Sequence, residues 1–295
     1  PYLKGMLDLT YLQAMAVNSC FFGAYAIVSY PAGNLIKKIG YQRGIVTGLT
    51  IATLGCLLFY PAAELKVYGL FLFALFILAT GITILQVSAN PFVTAIGAPE
   101  TAASRLNLTQ AFISLGTTPA PQFGAVLILS FVATGAVNLA DMSAAEQSAY
   151  QAQQAEAVQL PYLMLAFALF ALAVIFAKFI QLPQLNTGQS SAVLTSDEKP
   201  AWQHRHLILG AIGIFVYVGA EVSIGSFLVN FLAEDNIASM AEHDAARYVS
   251  WFWGGAMIGR FIGAGLMLKM RANLLLAVNS AIEVALLIVV MTTNG

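Results

Sequence analysis

Charge is what this sequence has least of. Only 9% of its 295 residues are Asp, Glu, Lys or Arg, against about 25% in an ordinary soluble domain. With 59% hydrophobic residues, it has too little polar surface to coat a globule in water. A net charge of −1 argues nothing about nucleic acid, and no basic cluster is long enough to suggest such a partner. Cysteine is nearly absent too. Cys20 and Cys56 each fall inside a predicted helix, as small core residues rather than a disulfide framework or metal site. There is no Ser/His/Asp set, no phosphate-cradling glycine loop and no metal-ligand spacing, so neither catalysis nor a cofactor is expected. His204 and His206 flank Arg205; a metal site is one reading, a membrane-interface flank the favoured one.

What the chain has instead is long apolar runs, which predict an all-α, polytopic membrane protein. Eight spans are expected: Tyr11–Leu35, Ile45–Ala62, Val67–Ile96, Ala103–Ala133, Leu160–Ile180, His206–Leu232, Tyr248–Leu268 and Leu274–Thr293. Residues 134–159, rich in Ala and Gln, predict a short surface helix. The polar segment TGQSSAVLTSDEKP predicts a flexible connector. The expected division is therefore 1–183 as a first helix bundle, 184–205 as a linker and 206–295 as a second bundle.

Alternating the sides of the membrane puts Lys37, Lys38, Arg43, Arg105, Lys178, Lys199, Arg205, Lys269 and Arg271 on one face. Only Lys4, Lys66 and Arg247 fall on the other, and Arg260 lies within a span. The basic face is expected to be cytoplasmic. A shift of 231 residues pairs Phe21 with Phe252, Gly23 with Gly254, Ile27 with Ile258, Leu35 with Leu266 and Lys38 with Lys269. The first and seventh spans thus read as equivalent helices of two homologous halves.

The stretch from Ile84 to Gly124 carries the densest polar signal. It predicts two helices joined by a turn at Gly97-Ala98-Pro99. Gln86, Ser88 and Asn90 stud the first arm; Asn107, Thr109 and Gln110 stud the second. Gln86 and Gln110 each stand twelve residues from Ala98, so helical arms would hold them at similar depth, within roughly 18 Å of the turn. An amide in hydrocarbon needs a hydrogen-bond partner or costs a few kcal/mol. Interhelical glue is one reading of these residues and a polar cavity wall the other. Asn90-Pro91 favours the wall, because proline frees a backbone carbonyl.

LQVSANPFVTAIG followed by PETAASRLNLTQAF and SLGTT, with CFFGAYAIVSYPAGNLIKKIGYQRG and YVGAEVSIGSFLVNF elsewhere, closely resembles the fucose permease and bacterial glucose/galactose transporter family of the major facilitator superfamily. The resemblance covers nearly the whole chain. It implies a major facilitator fold with about eight of twelve transmembrane helices present, one missing before Pro1 and three after Gly295. It implies a monomeric, multi-pass protein of the bacterial inner membrane that imports a hexose, glucose- or galactose-like or else fucose, by proton symport with alternating access. The alternatives are an efflux carrier of the same fold and, more distantly, a membrane-embedded enzyme.

Three positions depart from the family. Lys37 stands where the superfamily loop G-x-x-x-D-[RK]-x-G, matched by Gly33–Gly40, has its acid. Gln86 and Ile113 replace a glutamate and an asparagine of fucose permease. The resemblance to glucose/galactose members at Gln86 favours a hexose over fucose.

Gln86, Asn90, Gln110 and Glu221 are the expected substrate contacts, with Tyr25, Phe92, Phe112 and Tyr217 as candidate aromatic faces for the ring. Three ionisable residues lie inside spans: Glu221, Arg260 and Glu283. Each needs a partner, a wet cavity or a function. Glu221 sits near the middle of its span among small residues. Desolvation there would favour the neutral acid and suit it to carry the coupled proton, with acceptance of a sugar hydroxyl as the competing role. Arg260 is nearer the cytoplasmic end, where snorkelling or a structural pair is expected. Gly255, Gly259 and Gly263 recur every fourth residue beside it, which permits close backbone packing. Glu283 is left as a lone carboxyl or a partner.

Overall fold

The structure, a computed structural model, describes residues 11–65, 67–120, 144–183, 203–234 and 237–292. Among the described residues it has eight α-helices and no strand: α1 Tyr11–Ile39, α2 Tyr41–Leu65, α3 Tyr68–Ala95, α4 Ala102–Thr117, α5 Ala144–Lys178, α6 Arg205–Ala233, α7 Glu242–Leu266 and α8 Ala272–Thr292. A 3-10 turn, Pro99–Thr101, precedes α4. An apolar environment dictates this, since a helix satisfies its backbone internally. Among the described residues, five helices are long and apolar enough to cross a membrane: α2, α3, α6, α8 and the Gln159–Lys178 part of α5. The chain is a multi-pass membrane protein.

Two span boundaries change. The surface helix and the fifth span are one continuous helix of 35 residues, α5, which runs through Pro161. The first two spans meet at a tighter joint than hydropathy placed it. α1 extends to Ile39, Gly40 turns the chain with φ +81°, and α2 starts at Tyr41. Only glycine takes that backbone without strain. α2 and α8 begin at Tyr41 and Ala272, again 231 residues apart (272 − 41). The end of the fourth span (121–133) and most of the linker (184–202) lie outside the described residues.

Contacts divide the chain into two units. The first comprises Pro1–Ile96 and Gln122–Leu185; the second, Gly97–Pro121 and Asn186–Gly295. α4 thus groups with α6, α7 and α8, whereas division at the linker would assign it to the first bundle.

In the first unit α2 packs against α3 and α5, and α1 packs against α3. The α2–α3 seam is a backbone-to-backbone approach. A Cβ built on Gly48 would lie 2.7 Å from the Leu85 nitrogen, and one on Gly55 would lie 2.4 Å from the Leu78 nitrogen. Small residues let apolar helices gain contact where lipid offers no hydrophobic drive. Cys56, Phe59, Phe71, Ala74 and Leu78 fill the core below the seam, joined by Ala166 of α5. Phe59 stacks on Tyr162 at 3.9 Å between ring centroids. Gln42, at the start of α2, finishes α5. Its Nε2 donates to the carbonyls of Phe176 (3.1 Å) and Ile180 (2.8 Å), and its Oε1 accepts from the Leu182 N–H (3.1 Å). The last carbonyls of a helix have no intrahelical donors, so one amide side chain supplies them.

In the second unit α7 packs between α4 and α6. Ser104 Oγ, buried, donates to the Ala264 carbonyl at 2.6 Å, and Asn107 Nδ2 donates to the Arg260 carbonyl at 2.7 Å. Among the described residues, the glycine string of α7 forms no backbone-to-backbone seam. Gly255 and Gly259 have nothing within 4 Å of a built Cβ, and Gly263 meets only side chains, Asn107 Nδ2 first at 2.9 Å.

Candidate functional site

The hydroxyls of the polar stretch turn inward to their own helices. Ser88 Oγ donates to the Ile84 carbonyl, and Thr109 Oγ1 to that of Arg105. Such i−4 bonds satisfy a hydroxyl in hydrocarbon without a partner helix. Asn107 does link helices, through the Arg260 carbonyl.

The four expected substrate contacts divide between the units. Gln86 and Asn90 lie in the first, one turn apart on α3 and both half-buried. Gln86 Nε2 donates to Tyr25 Oη of α1 at 3.5 Å, the limit of a hydrogen bond. Tyr25 also leans on Phe21, with ring centroids 5.2 Å apart. α3 continues through Pro91 to Ala95, so the carbonyl one turn before Pro91 has no intrahelical donor. Phe92 is buried against Tyr41, 5.9 Å between centroids, a packing position rather than a ring platform.

Gln110 and Glu221 lie in the second unit. Glu221 is not a lone acid. Arg260 Nη2 of α7 sits 2.7 Å from its Oε1, and the two side chains are 23% and 14% exposed. Arg260 therefore forms a structural pair, which also answers how α7 tolerates a cation. The same Nη2 donates to Tyr217 Oη at 3.4 Å, and Nη1 donates to Ser114 Oγ of α4. Ser114 Oγ in turn donates to the Gln110 carbonyl at 3.0 Å. The result is a connected polar cluster on three helices: Ser114 from α4, Tyr217 and Glu221 from α6, Arg260 from α7. Tyr217 and Glu221 are four residues apart, so one face of α6 presents both. Phe112 lies edge-on to Phe261 at 5.6 Å and is exposed.

Sequence reasoning singled out Glu221, Arg260 and Tyr217 separately but missed their union, and it missed Ser114. The available signal was charge complementarity: one acid and one base buried in neighbouring apolar helices find each other, since neither is stable alone. Glu283 is exposed and, among the described residues, makes no ion pair. Among the described residues no cluster of three or more metal-ligating side chains occurs. His204 and Arg205 stand at the exposed start of α6.

Among the described residues, eight helices, five of them long and apolar enough to cross a membrane, define the class: a multi-pass membrane protein. The particular family follows from comparison. The Major Facilitator Superfamily model matches residues 1–295, and the chain belongs to that superfamily. It is 54% identical over 295 residues to the glucose/galactose transporter of Brucella abortus (strain 2308), covering 100% of this chain and 68% of the relative. It is 36% identical over 303 residues to the L-fucose-proton symporter of Escherichia coli (strain K12), again with 68% of the relative covered. The crystal structure of the superfamily transporter FucP in the outward conformation matches with a TM-score of 0.76 and 35% identity, over 92% of this chain and 66% of that one. The chain therefore spans about two thirds of the length of these relatives. These relatives are transporters.

Proposed function

We propose that the protein is a secondary active transporter that imports a hexose of the glucose/galactose type, by proton symport with alternating access of a central site. Its setting is the bacterial inner membrane, as a monomer, with two homologous bundles (1–183 and 206–295) joined by a cytoplasmic linker (184–205). The observation that carries the reading is the Glu221–Arg260–Tyr217–Ser114 cluster inside a chain 54% identical to a glucose/galactose transporter. A sugar offers hydroxyls that both donate and accept, and an aromatic-tolerant ring face. A carboxylate, amides and a phenol are the groups that answer them.

Gln86, Asn90, Gln110 and Glu221 are assigned to the sugar. Glu221 takes a hydroxyl through the carboxylate oxygen that the ion pair does not use. Gln86 cannot titrate, which supports hexose recognition rather than proton carriage at that position. The second reading makes Glu221 the proton carrier. The 2.7 Å contact to Arg260 bears on it directly, because the guanidinium would have to release Glu221 each time a proton binds.

Labelled glucose and galactose counterflow in proteoliposomes tests the function. Trans-stimulated exchange of either hexose is the expected result; no exchange of any hexose, with another solute carried, means an exporter or a carrier for a different substrate. Glu221→Gln separates the two roles. Weakened exchange fits hydroxyl binding, whereas intact exchange with lost accumulation fits coupling.

A further inference from the structure

Arg260 has the odd feature of being held at both ends. Its backbone carbonyl accepts from Asn107 Nδ2 at 2.7 Å, which pins this turn of α7 to α4. Its guanidinium then reaches α6, where Nη2 meets Glu221 Oε1 at 2.7 Å and Tyr217 Oη at 3.4 Å, while Nη1 returns to Ser114 Oγ on α4. A planar guanidinium has its donors in a rigid fork, so contacts on two sides fix its plane. The carboxylate takes its orientation from that plane. Ser114 is itself committed: its hydroxyl proton goes to the Gln110 carbonyl, leaving a lone pair for Arg260. Each donor and acceptor in the chain of contacts is matched in type.

We propose that Arg260 is a positioning residue for sugar recognition. From α7 it holds the Glu221 carboxylate aimed, and is itself held by its contacts to Ser114 and Asn107 of α4. This rests on the reading that Glu221 receives the sugar. It makes a distinction that ion pairing alone does not. A lysine keeps the charge at Arg260, yet its single ammonium cannot reproduce the fork to Glu221, Tyr217 and Ser114 together.

The test is hexose counterflow by the full-length transporter in proteoliposomes, comparing Arg260→Lys, Glu221→Gln and the double variant. Arg260→Lys and Glu221→Gln are each expected to raise the hexose KM about tenfold with Vmax within about twofold, the loss of an aimed charged hydrogen bond. The double variant is expected to add nothing further, because both changes remove the same interaction. A merely structural arginine would lower the folded yield and Vmax and leave KM alone. Should Arg260→Lys fail to fold, Ser114→Ala takes its place: it keeps both charges and removes one contact of the fork, with an expected KM rise of about threefold. An unchanged KM in the variant measured, or single effects that multiply in the double, overturns the proposal. Wild-type protein that exchanges no hexose overturns the underlying reading instead.

Discussion

Gly81 faces the α2 backbone, and its replacement by alanine is the sharpest test of how the first unit is held together. The added Cβ would lie 2.2 Å from the Ala52 nitrogen, 2.6 Å from the Gly48 carbonyl oxygen and 2.7 Å from the Ala52 Cα. Comfortable contact begins near 3.5 Å, so the first distance is about 1.3 Å short. The atoms in the way are backbone, and no rotamer change relieves them. α2 and α3 must separate along the seam, and that loosens Gly48, Gly55 and the core of Cys56, Phe59 and Phe71 that they enclose. Overpacking a core costs about 1–3 kcal/mol where side chains can yield; here about 3 kcal/mol or more is expected, a fall in Tm of roughly 6–12 °C. The control lies on the same helix. Gly69 has nothing within 4 Å of a built Cβ, so Gly69→Ala should be neutral or stabilising by up to about 1 kcal/mol. Thermal unfolding of the purified variants in one detergent, followed by tryptophan fluorescence or circular dichroism, compares them. Equal Tm values for the two variants would refute the close-packed seam.

Gln42→Ala should expose the end of α5: three hydrogen bonds are lost and half-buried acceptors are left without donors, at about 1–3 kcal/mol. Hydrogen exchange should show the Leu182 amide opening about tenfold faster or more, and an unchanged rate would mean that the clamp is idle. Gln110→Ala is expected to weaken hexose binding by about five- to tenfold, read by equilibrium binding to the detergent-solubilised protein; binding that does not change removes Gln110 from the site.

Much of the fold was legible because lipid leaves a chain few choices. Apolar runs of the right length become helices, and Gly or Pro marks where they break. What sequence pattern lacked was facing. Gly255, Gly259 and Gly263 have the spacing of a helix seam, but the first two meet nothing, whereas Gly48, Gly55 and Gly81 carry the close approach. Periodicity says which residues share a face and not which face finds a neighbour. The α5 boundary was obscured by composition: Ala and Gln read as a surface segment, yet both are good helix formers and the helix simply continues into the apolar run. Gln42 was overlooked because a polar residue at a helix start resembles loop. Its partners lie more than 130 residues away in sequence. The candidate site shows the same division. Glu221 and Arg260 stood out singly as buried charges, and only the packing of α6 on α7 makes them one group.

The account's central claim is hexose–proton symport, and the most direct measurement is sugar-induced proton movement. Full-length protein in weakly buffered proteoliposomes receives a pulse of galactose or glucose while the external pH is recorded. The account predicts alkalinisation outside that follows the hexose gradient, collapses with a protonophore and is weakened by Glu221→Gln. Hexose entry with no accompanying pH change, or proton movement with no dependence on hexose, would contradict it.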